Sequence, residues 1–433
     1  MRLASVLSIL ALSACAAATE PVPDASSTVA PALSFDPAEA WDEFEALLRE
    51  RYAYLDAMGR DAADAQLARS RVAALEASSP AAARRVMHQT ALTFADPHLL
   101  AGPLGPDDWN VVMTSADLDV AYEDDAFVVA DVRAGSAADG AGVRPGWTLL
   151  AADGVPTARA ARLPFGPVLP VPSPRQLAYG ATLAANGRRG QDRRVLTFAR
   201  PDGAAVDVVL ASPRVQARAL LDAPPVATSR LGAEGGIGLV RFNNSLGRDE
   251  TIAAFDEAVR ALSDTHALIL DLRDTPSGGN TEVARSVIGH FVDEPRAYQM
   301  HTIPAVERAS GVPRRFVELV EPRVPRYDGP IVVLHGRWTG SMGEGLVIGL
   351  DAAAGAHTIG SDMGDLLGAL WSEALPASGA RVEFGGEALF TPEGLPREDY
   401  VADRPLASAD RDAGGGDPAM RAALAYLDGH TEP

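Results

Sequence analysis

The C-terminal half of the chain alternates between apolar runs and amphipathic segments, and this pattern restricts the fold more than any other feature. From about Gly235, runs typical of buried strands (GIGLVRF, ALILDLR, IVVLHG) alternate with segments that have helical three- and four-residue apolar spacing: TIAAFDEAVRAL, one from Glu282, and one after Ser341. The alternation predicts an α/β layered core with buried, largely parallel strands.

The two regions before this core have different patterns. From Asp36 to about Leu100 the apolar spacing is helical, and the pattern ends in ADPHLL, where Pro97 breaks the helix and leaves His98 in a turn. From about Asp107 the sequence has short β-branched runs with Gly and Asp-Gly turns, and one helical segment near PSPRQLAYGATLAA. We therefore predict a helical domain at 35–106, a mostly β domain at 107–214 and the α/β core at 215–433.

The N terminus indicates export. Residues 1–14 combine a basic start with an apolar run too short to span a bilayer, which is typical of a signal peptide. LSAC resembles a bacterial lipoprotein signal, which implies lipidation of Cys15 and a flexible tether at 15–34. The alternative is an ordinary secretory signal that is cut near Ala16. We expect a membrane-anchored lipoprotein on the periplasmic side of a bacterial cell envelope, or a secreted protein if Cys15 carries no lipid.

Charge and composition exclude several functions. The formal net charge of −20 disfavours nucleic acid and anionic lipid surfaces as partners. The 433-residue chain contains no lysine, so a mechanism that needs a lysine base is excluded. It also lacks an HExxH motif, a cysteine pair and EF-hand spacing, so we expect no metal site and no cofactor.

The segment WTGSMGEGL, at 338–346, places a serine where a strand gives way to a helix. One interpretation is a helix cap, with Thr339 or Ser341 accepting hydrogen bonds from free backbone N–H groups and Glu344 completing a capping box. The other interpretation is a nucleophile, because the same turn surrounds the serine oxygen with unpaired N–H donors. Glu344 is expected to be a cap or a buried hydrogen-bond partner under either interpretation.

Five segments of the chain resemble parts of one family. The segments ALILDLRDTPSGGNTEVARSVIGHFV and IVVLHGRWTGSMGEGLVIGL resemble the core of the C-terminal processing peptidases and their tricorn-core relatives, which implies a crotonase-like core. FVVADVRAGSAADGAGVRPGWTLLAADGVP is similar to a PDZ domain. ADPHLL resembles the Asp-x-His turn of the tricorn-like branch, and DPAMRAALAYL resembles the closing helix. The resemblance therefore implies a serine peptidase with a PDZ-like module.

The resemblance implies a role for each site residue. Ser341 would be the nucleophile and His98 its base, since the other branch of the family requires a lysine. The oxyanion donors would be backbone N–H groups of Gly278 or Gly279, with Met342 as the second donor. FTPEGLPREDYVADRP resembles the segment that supplies an orienting glutamate; it offers Glu398 and Glu393, and the choice between them stays open.

The implied substrates are unfolded or tail-exposed polypeptides. The PDZ-like segment would either hold a peptide carboxyl end or gate access to the site. The stretch GSDMGDLLGA, at 360–369, departs from the family pattern Gly-Glu-x-Thr-x-Gly. A non-catalytic peptide- or ligand-binding protein on the same scaffold therefore remains the alternative.

Overall fold

A computed structural model of the protein describes residues 35–110, 116–232 and 235–430. The predicted signal peptide, the tether at 15–34 and Cys15 lie outside these residues. Within the described ranges, no helix is both long enough and apolar enough to cross a bilayer.

The first region is helical, as its apolar spacing predicts. Its elements are α1 Pro37–Glu50, α2 Arg60–Leu75, α3 Pro80–Leu92 and β1 Leu100–Gly102. Helix α1 begins where the Asp36 side chain accepts the N–H of Ala38 at 2.8 Å. Its buried face, which includes Phe44, packs in one apolar cluster with Val382 and Phe384, more than 300 residues later in the chain. The helical region therefore completes its core with a late sheet.

The middle domain, residues 118–222, is built on an antiparallel sheet. Its elements are β2 Leu118–Glu123, β3 Ala126–Val132, α4 Ala137–Gly140, β4 Thr148–Ala152, β5 Val155–Pro156, α5 Thr157–Ala160, α6 Pro174–Asn186, β6 Arg193–Ala199, β7 Ala205–Ala211 and α7 Arg214–Asp222. The strand order is β2-β3-β4-β6-β7, with β5 pairing β4. Strand β2 is thus an edge strand, and α6 lies against it.

The remaining residues form the predicted α/β core and one further sheet. The elements are β8 Val226–Leu231, β9 Ile237–Phe242, α8 Glu250–Ala261, β10 Ala267–Asp271, α9 Thr281–Ile288, β11 Arg296–Thr302, α10 Pro304–Ser310, β12 Arg315–Val320, β13 Ile331–His335, α11 Met342–Ala354, β14 His357–Gly360, β15 Ala369–Leu375, β16 Ala380–Phe390, β17 Arg404–Pro405 and α12 Pro418–His430.

The core sheet has the order β17-β14-β13-β10-β9-β8. Strands β9, β10, β13, β14 and β17 pair in parallel, and only the edge strand β8 is antiparallel. Along β10, Leu268 and Leu270 pack in the cluster that contains residues of α8, α9 and α11, whereas Ala267 and Ile269 pack in the cluster that contains residues of α12. Helices therefore cover both faces, and the prediction of buried, largely parallel strands is confirmed.

A separate antiparallel sheet joins distant parts of the chain. Its order is β1-β16-β11-β12, with β15 also pairing β16. This sheet unites the first region with strands from the last third of the sequence. The strand and helix alternation did not predict it.

Candidate active site

Two loops meet at the carboxyl ends of adjacent parallel strands. Strands β10 and β13 pair from Leu268 with Ile331 to Asp271 with Leu334, so the loops that follow them lie side by side. The loops are joined by a bridge between Thr275 and Thr339, in which the Thr275 N–H donates to the Trp338 carbonyl at 3.1 Å. The pairing brings the SGGN segment and the serine turn together.

Ser341 is held in an unusual backbone conformation directly before α11. Its φ of 53° lies in the left-handed region, which is rare for a residue with a side chain. The N–H of Ser341 donates to Glu344 Oε2 at 2.7 Å, so Glu344 is the expected buried hydrogen-bond partner. Burial raises the pKa of Glu344 to about 7, although the charge of Arg397 opposes the shift. Ser341 itself is only partly buried.

The glycine pair packs directly against the serine turn. A Cβ atom on Gly278 would lie 2.4 Å from the Cβ of Ser341, so only glycine allows this approach. The N–H of Gly278 donates to the Thr275 carbonyl at 3.0 Å. Within the described part of the chain, the N–H groups of Gly279 and Met342 have no hydrogen-bond acceptor, and both residues line the same cavity as Ser341. They are therefore two free donors beside the serine.

His98 lies in a turn after α3, as predicted, and its ring has a defined tautomer. The backbone N–H of His98 donates to Asp96 Oδ1 at 2.9 Å, and the ring Nδ1 lies 3.0 Å from the carbonyl oxygen of Leu367. Because a carbonyl only accepts, Nδ1 carries the hydrogen and Nε2 keeps its lone pair. Burial lowers the pKa of His98 to about 4. The imidazole is therefore neutral near pH 7 and can accept a proton at Nε2.

One cavity brings the nucleophile and base candidates together. Ser341, His98, Gly279 and Met342 all line a cavity of about 450 Å³. Among the hydrogen bonds of the described residues, none joins Ser341 Oγ to His98. Such bonds are often long without substrate and shorten in the reacting complex. The structure thus places four of the predicted site residues around one space.

Arg397 connects the two sides of this cavity, and the sequence analysis missed it. Its guanidinium donates to the Ser341 carbonyl at 3.2 Å, to the Leu366 carbonyl, and to the Gly368 carbonyl at 3.4 Å. It also lies 3.3 Å from Glu344 Oε2, and its side chain is only 5% exposed. Since His98 is bonded to the residue between Leu366 and Gly368, Arg397 links the turn of the nucleophile to the loop that holds the base.

Neither predicted glutamate contacts His98. Glu393 and Glu398 are both exposed, and neither lines the cavity. The Leu367 carbonyl occupies the position beside Nδ1 where an orienting carboxylate was expected. A backbone acceptor such as this carbonyl has no sequence signature. Leu367 does, however, lie within the stretch 360–369, where the sequence departs from the family pattern. The described residues contain no cluster of acidic, histidine or cysteine side chains that could hold a metal ion.

The free edge of the middle domain is occupied by its own helix. Asn186 of α6 accepts the Leu118 N–H at 3.3 Å and donates to the Leu118 carbonyl at 2.8 Å. Thr182 Oγ1 accepts the Val120 N–H at 2.9 Å. These side chains satisfy the main-chain groups that an added peptide strand would use. Over this part of β2, the edge is closed to strand addition.

The similarity to known proteins agrees with this geometry. Residues 236–399 match peptidase family S41. No curated protein sequence matches the chain. The structure of mature CPAF complexed with lactacystin matches 91% of this chain and 97% of its own, with a TM-score of 0.59 and 15% identity. The photosystem II D1 C-terminal processing protease matches 88% of this chain and 96% of its own, with a TM-score of 0.53 and 17% identity. At these identities the likeness to solved structures establishes the fold.

Proposed function

The chain carries a domain of peptidase family S41, a serine-type peptidase family, over residues 236–399, and we propose that it is an endopeptidase that cuts unfolded or tail-exposed polypeptides at Ser341. The match confirms the predicted family and enzyme class. The observation that carries the proposed mechanism is the shared cavity, in which a strained serine lies with two free N–H donors and a neutral histidine.

The proposed reaction uses these groups in two steps. His98 Nε2 accepts the proton of Ser341 Oγ while Oγ bonds to the scissile carbonyl carbon, and the N–H groups of Gly279 and Met342 donate to the oxygen that becomes negative. The protonated His98 then donates its proton to the leaving amine, which leaves an acyl group on Ser341. Water then loses a proton to the same Nε2 and attacks the acyl carbon. As the bond between this carbon and Ser341 Oγ breaks, the protonated His98 returns the proton to Oγ, which releases the second product as a carboxylic acid and restores the serine hydroxyl.

Gly279 is the better oxyanion donor of the two predicted glycines. The Gly278 N–H already has an acceptor in Thr275, and Gly278 instead allows the close approach of the serine turn. The Leu367 carbonyl holds the His98 tautomer, so the site works without a carboxylate in direct contact with the base. A role for Glu398 or Glu393 stays a prediction, and it would require the segment after β16 to move toward His98.

Of the two roles predicted for the middle domain, its contacts favour gating over capture of a peptide carboxyl end. Capture by strand addition would require Asn186 and Thr182 to release β2. We also propose that the core is crotonase-like and that the middle domain is PDZ-like. The proposal further includes a lipid anchor at Cys15 and a location on the periplasmic side of the cell envelope, and the support for both is the N-terminal sequence.

The test compares the chain beginning at Ala16 with its Ser341→Ala and His98→Ala variants on an unfolded protein substrate. An exposed serine substitution, Ser310→Ala, serves as the matched control. We expect cleavage by wild type and the control and none by the two site variants. If purified wild type cuts nothing and Ser341 resists a fluorophosphonate, the alternative of a non-catalytic binding protein on this scaffold takes precedence.

A further inference from the structure

One wall of the active-site cavity is a sheet face with an unusual set of polar side chains. Gln299 and His301 alternate on β11, Phe316 and Glu318 on β12, and Glu387 and Leu389 on β16. The strand register pairs His301 with both Phe316 and Leu389, and Gln299 with Glu318. Because alternate residues of a strand share one face, these six side chains point toward the same space as Ser341.

Glu318 is fixed and ionised on this wall. Its Oε2 accepts a hydrogen bond from Thr281 Oγ1 at 2.8 Å and another from the Tyr298 hydroxyl. Although burial opposes the shift, the imidazole of His301, 3.7 Å from Oε2, and the hydrogen bonds from Tyr298 and Thr281 lower the pKa of Glu318 to about 2. Its Oε1 has no hydrogen-bond partner among the described residues, and the side chain is 22% exposed. A second carboxylate oxygen is therefore available to a ligand.

Glu387 and His301 form the next pair along the wall. His301 Nδ1 lies 2.7 Å from Glu387 Oε2, and its Nε2 lies 2.8 Å from the Gln299 amide. Although burial opposes the shift, the two glutamates raise the pKa of His301. The Gln299 Oε1 atom is buried without a partner, and an amide flip would let it accept an Nε2–H of a charged imidazole.

The positively charged side chains of the cavity, His301 and Arg397, are buried against their partners, whereas the carboxylates of Glu318 and Glu387 are partly exposed to the cavity. His301 is 8% exposed and lies under the ring of Phe316, with centroids 4.4 Å apart. Arg397 is bound to three carbonyls and is 5% exposed. Glu318 and Glu387 keep 22% and 17% of their side chains exposed. A substrate therefore meets carboxylate oxygens before it meets a positive charge.

We propose that the face formed by β11, β12 and β16 is a subsite for a positively charged substrate side chain, so that the enzyme prefers arginine or lysine beside the scissile bond. The exposed apolar side chains of Phe316 and Leu370 would cover the methylene groups, and Glu318 Oε1 would accept from the cationic head. This inference rests on the proposed endopeptidase activity and names its substrate class.

The test uses peptides that differ only by arginine or citrulline, which has nearly the same shape and no charge. Sites cut in an unbiased peptide library, read by mass spectrometry, identify the position to vary. For wild type we expect the arginine peptide to have a kcat/KM about 10- to 100-fold higher, the worth of one charge-assisted hydrogen bond. Glu318→Gln should reduce this ratio to within about twofold. Glu321→Gln, an exposed carboxylate just after β12, should keep it.

Glu387→Gln gives a second reading if Glu318→Gln does not fold, and it should reduce the ratio as well. Equal cleavage of both peptides by wild type, or a preference that survives in both glutamine variants, would overturn the subsite. A wild-type protein that cuts no library peptide and is not labelled at Ser341 contradicts the proposed function itself, and the subsite falls with it.

Discussion

Replacement of Arg397 by methionine should damage catalysis more than substrate binding. The guanidinium is the only described donor that contacts both the Ser341 carbonyl and the carbonyls on either side of Leu367. Without it, the turn of the nucleophile and the loop of the base lose their direct connection. A displacement of about 1 Å between reacting groups costs about 100-fold in rate. We therefore expect kcat to fall about 100-fold while KM changes little.

The same substitution should destabilise the fold. Arg397→Met removes the buried positive charge beside Glu344 and the guanidinium donor of three backbone carbonyls, and breaking a buried pair of this kind costs about 3–5 kcal/mol. Urea denaturation followed by tryptophan fluorescence measures this loss. Arg397→Lys keeps the charge but not the planar fork, so we expect intermediate values. Arg381→Met removes an exposed arginine and controls for the loss of a charge.

A change in pH dependence separates positioning from a purely structural effect. Burial is the main cause of the low pKa of His98, and the positive charge of Arg397 lowers this pKa further. Its loss should therefore move the acid limb of kcat/KM to higher pH in the folded variant. If Arg397→Met is folded, keeps kcat within threefold of wild type and leaves the acid limb in place, the proposed connection is wrong.

Three further outcomes follow from the site. Gly279→Ala should lower kcat about 100-fold, because the added Cβ would lie 2.0 Å from the Leu246 carbonyl and displace an oxyanion donor. Gly140→Ala, where an added Cβ meets nothing within 4 Å, should leave kcat unchanged, and stopped assays with one peptide compare the two variants. For wild type, kcat/KM should decline only as the pH falls through about 4, where His98 becomes charged; a limb near 6.5 would contradict this. Amidation of a substrate's C terminus should leave KM unchanged because α6 closes the edge of β2; a large rise in KM would show that chain ends bind.

The elements around the site were predictable because they depend on local patterns. The apolar run ALILDLR and the run IVVLHG are buried strands, and loops after neighbouring parallel strands meet at one edge of the sheet. This rule brings Gly279 close to Ser341 without any knowledge of side-chain contacts. The break at Pro97 likewise predicted the turn that carries His98.

The interactions that complete the site were not predictable from spacing. The Leu367 carbonyl that orients His98 is a main-chain atom, so no residue type marks it. Arg397 lies in the segment searched for an orienting glutamate, and its contacts depend on how that segment folds back over α11. The wall with Glu318 and Glu387 requires the strand order β16-β11-β12, which joins residues that are about 70 positions apart.

The most direct test of the central claim is covalent labelling of the folded protein by a fluorophosphonate, with the modified residue identified by mass spectrometry. We expect the label on Ser341 in wild type, none at any residue in Ser341→Ala, and labelling at least 100-fold slower in His98→Ala, because the base that activates the hydroxyl is absent. Labelling of another serine, or equal rates in wild type and His98→Ala, would contradict the assignment of Ser341 and His98 as nucleophile and base.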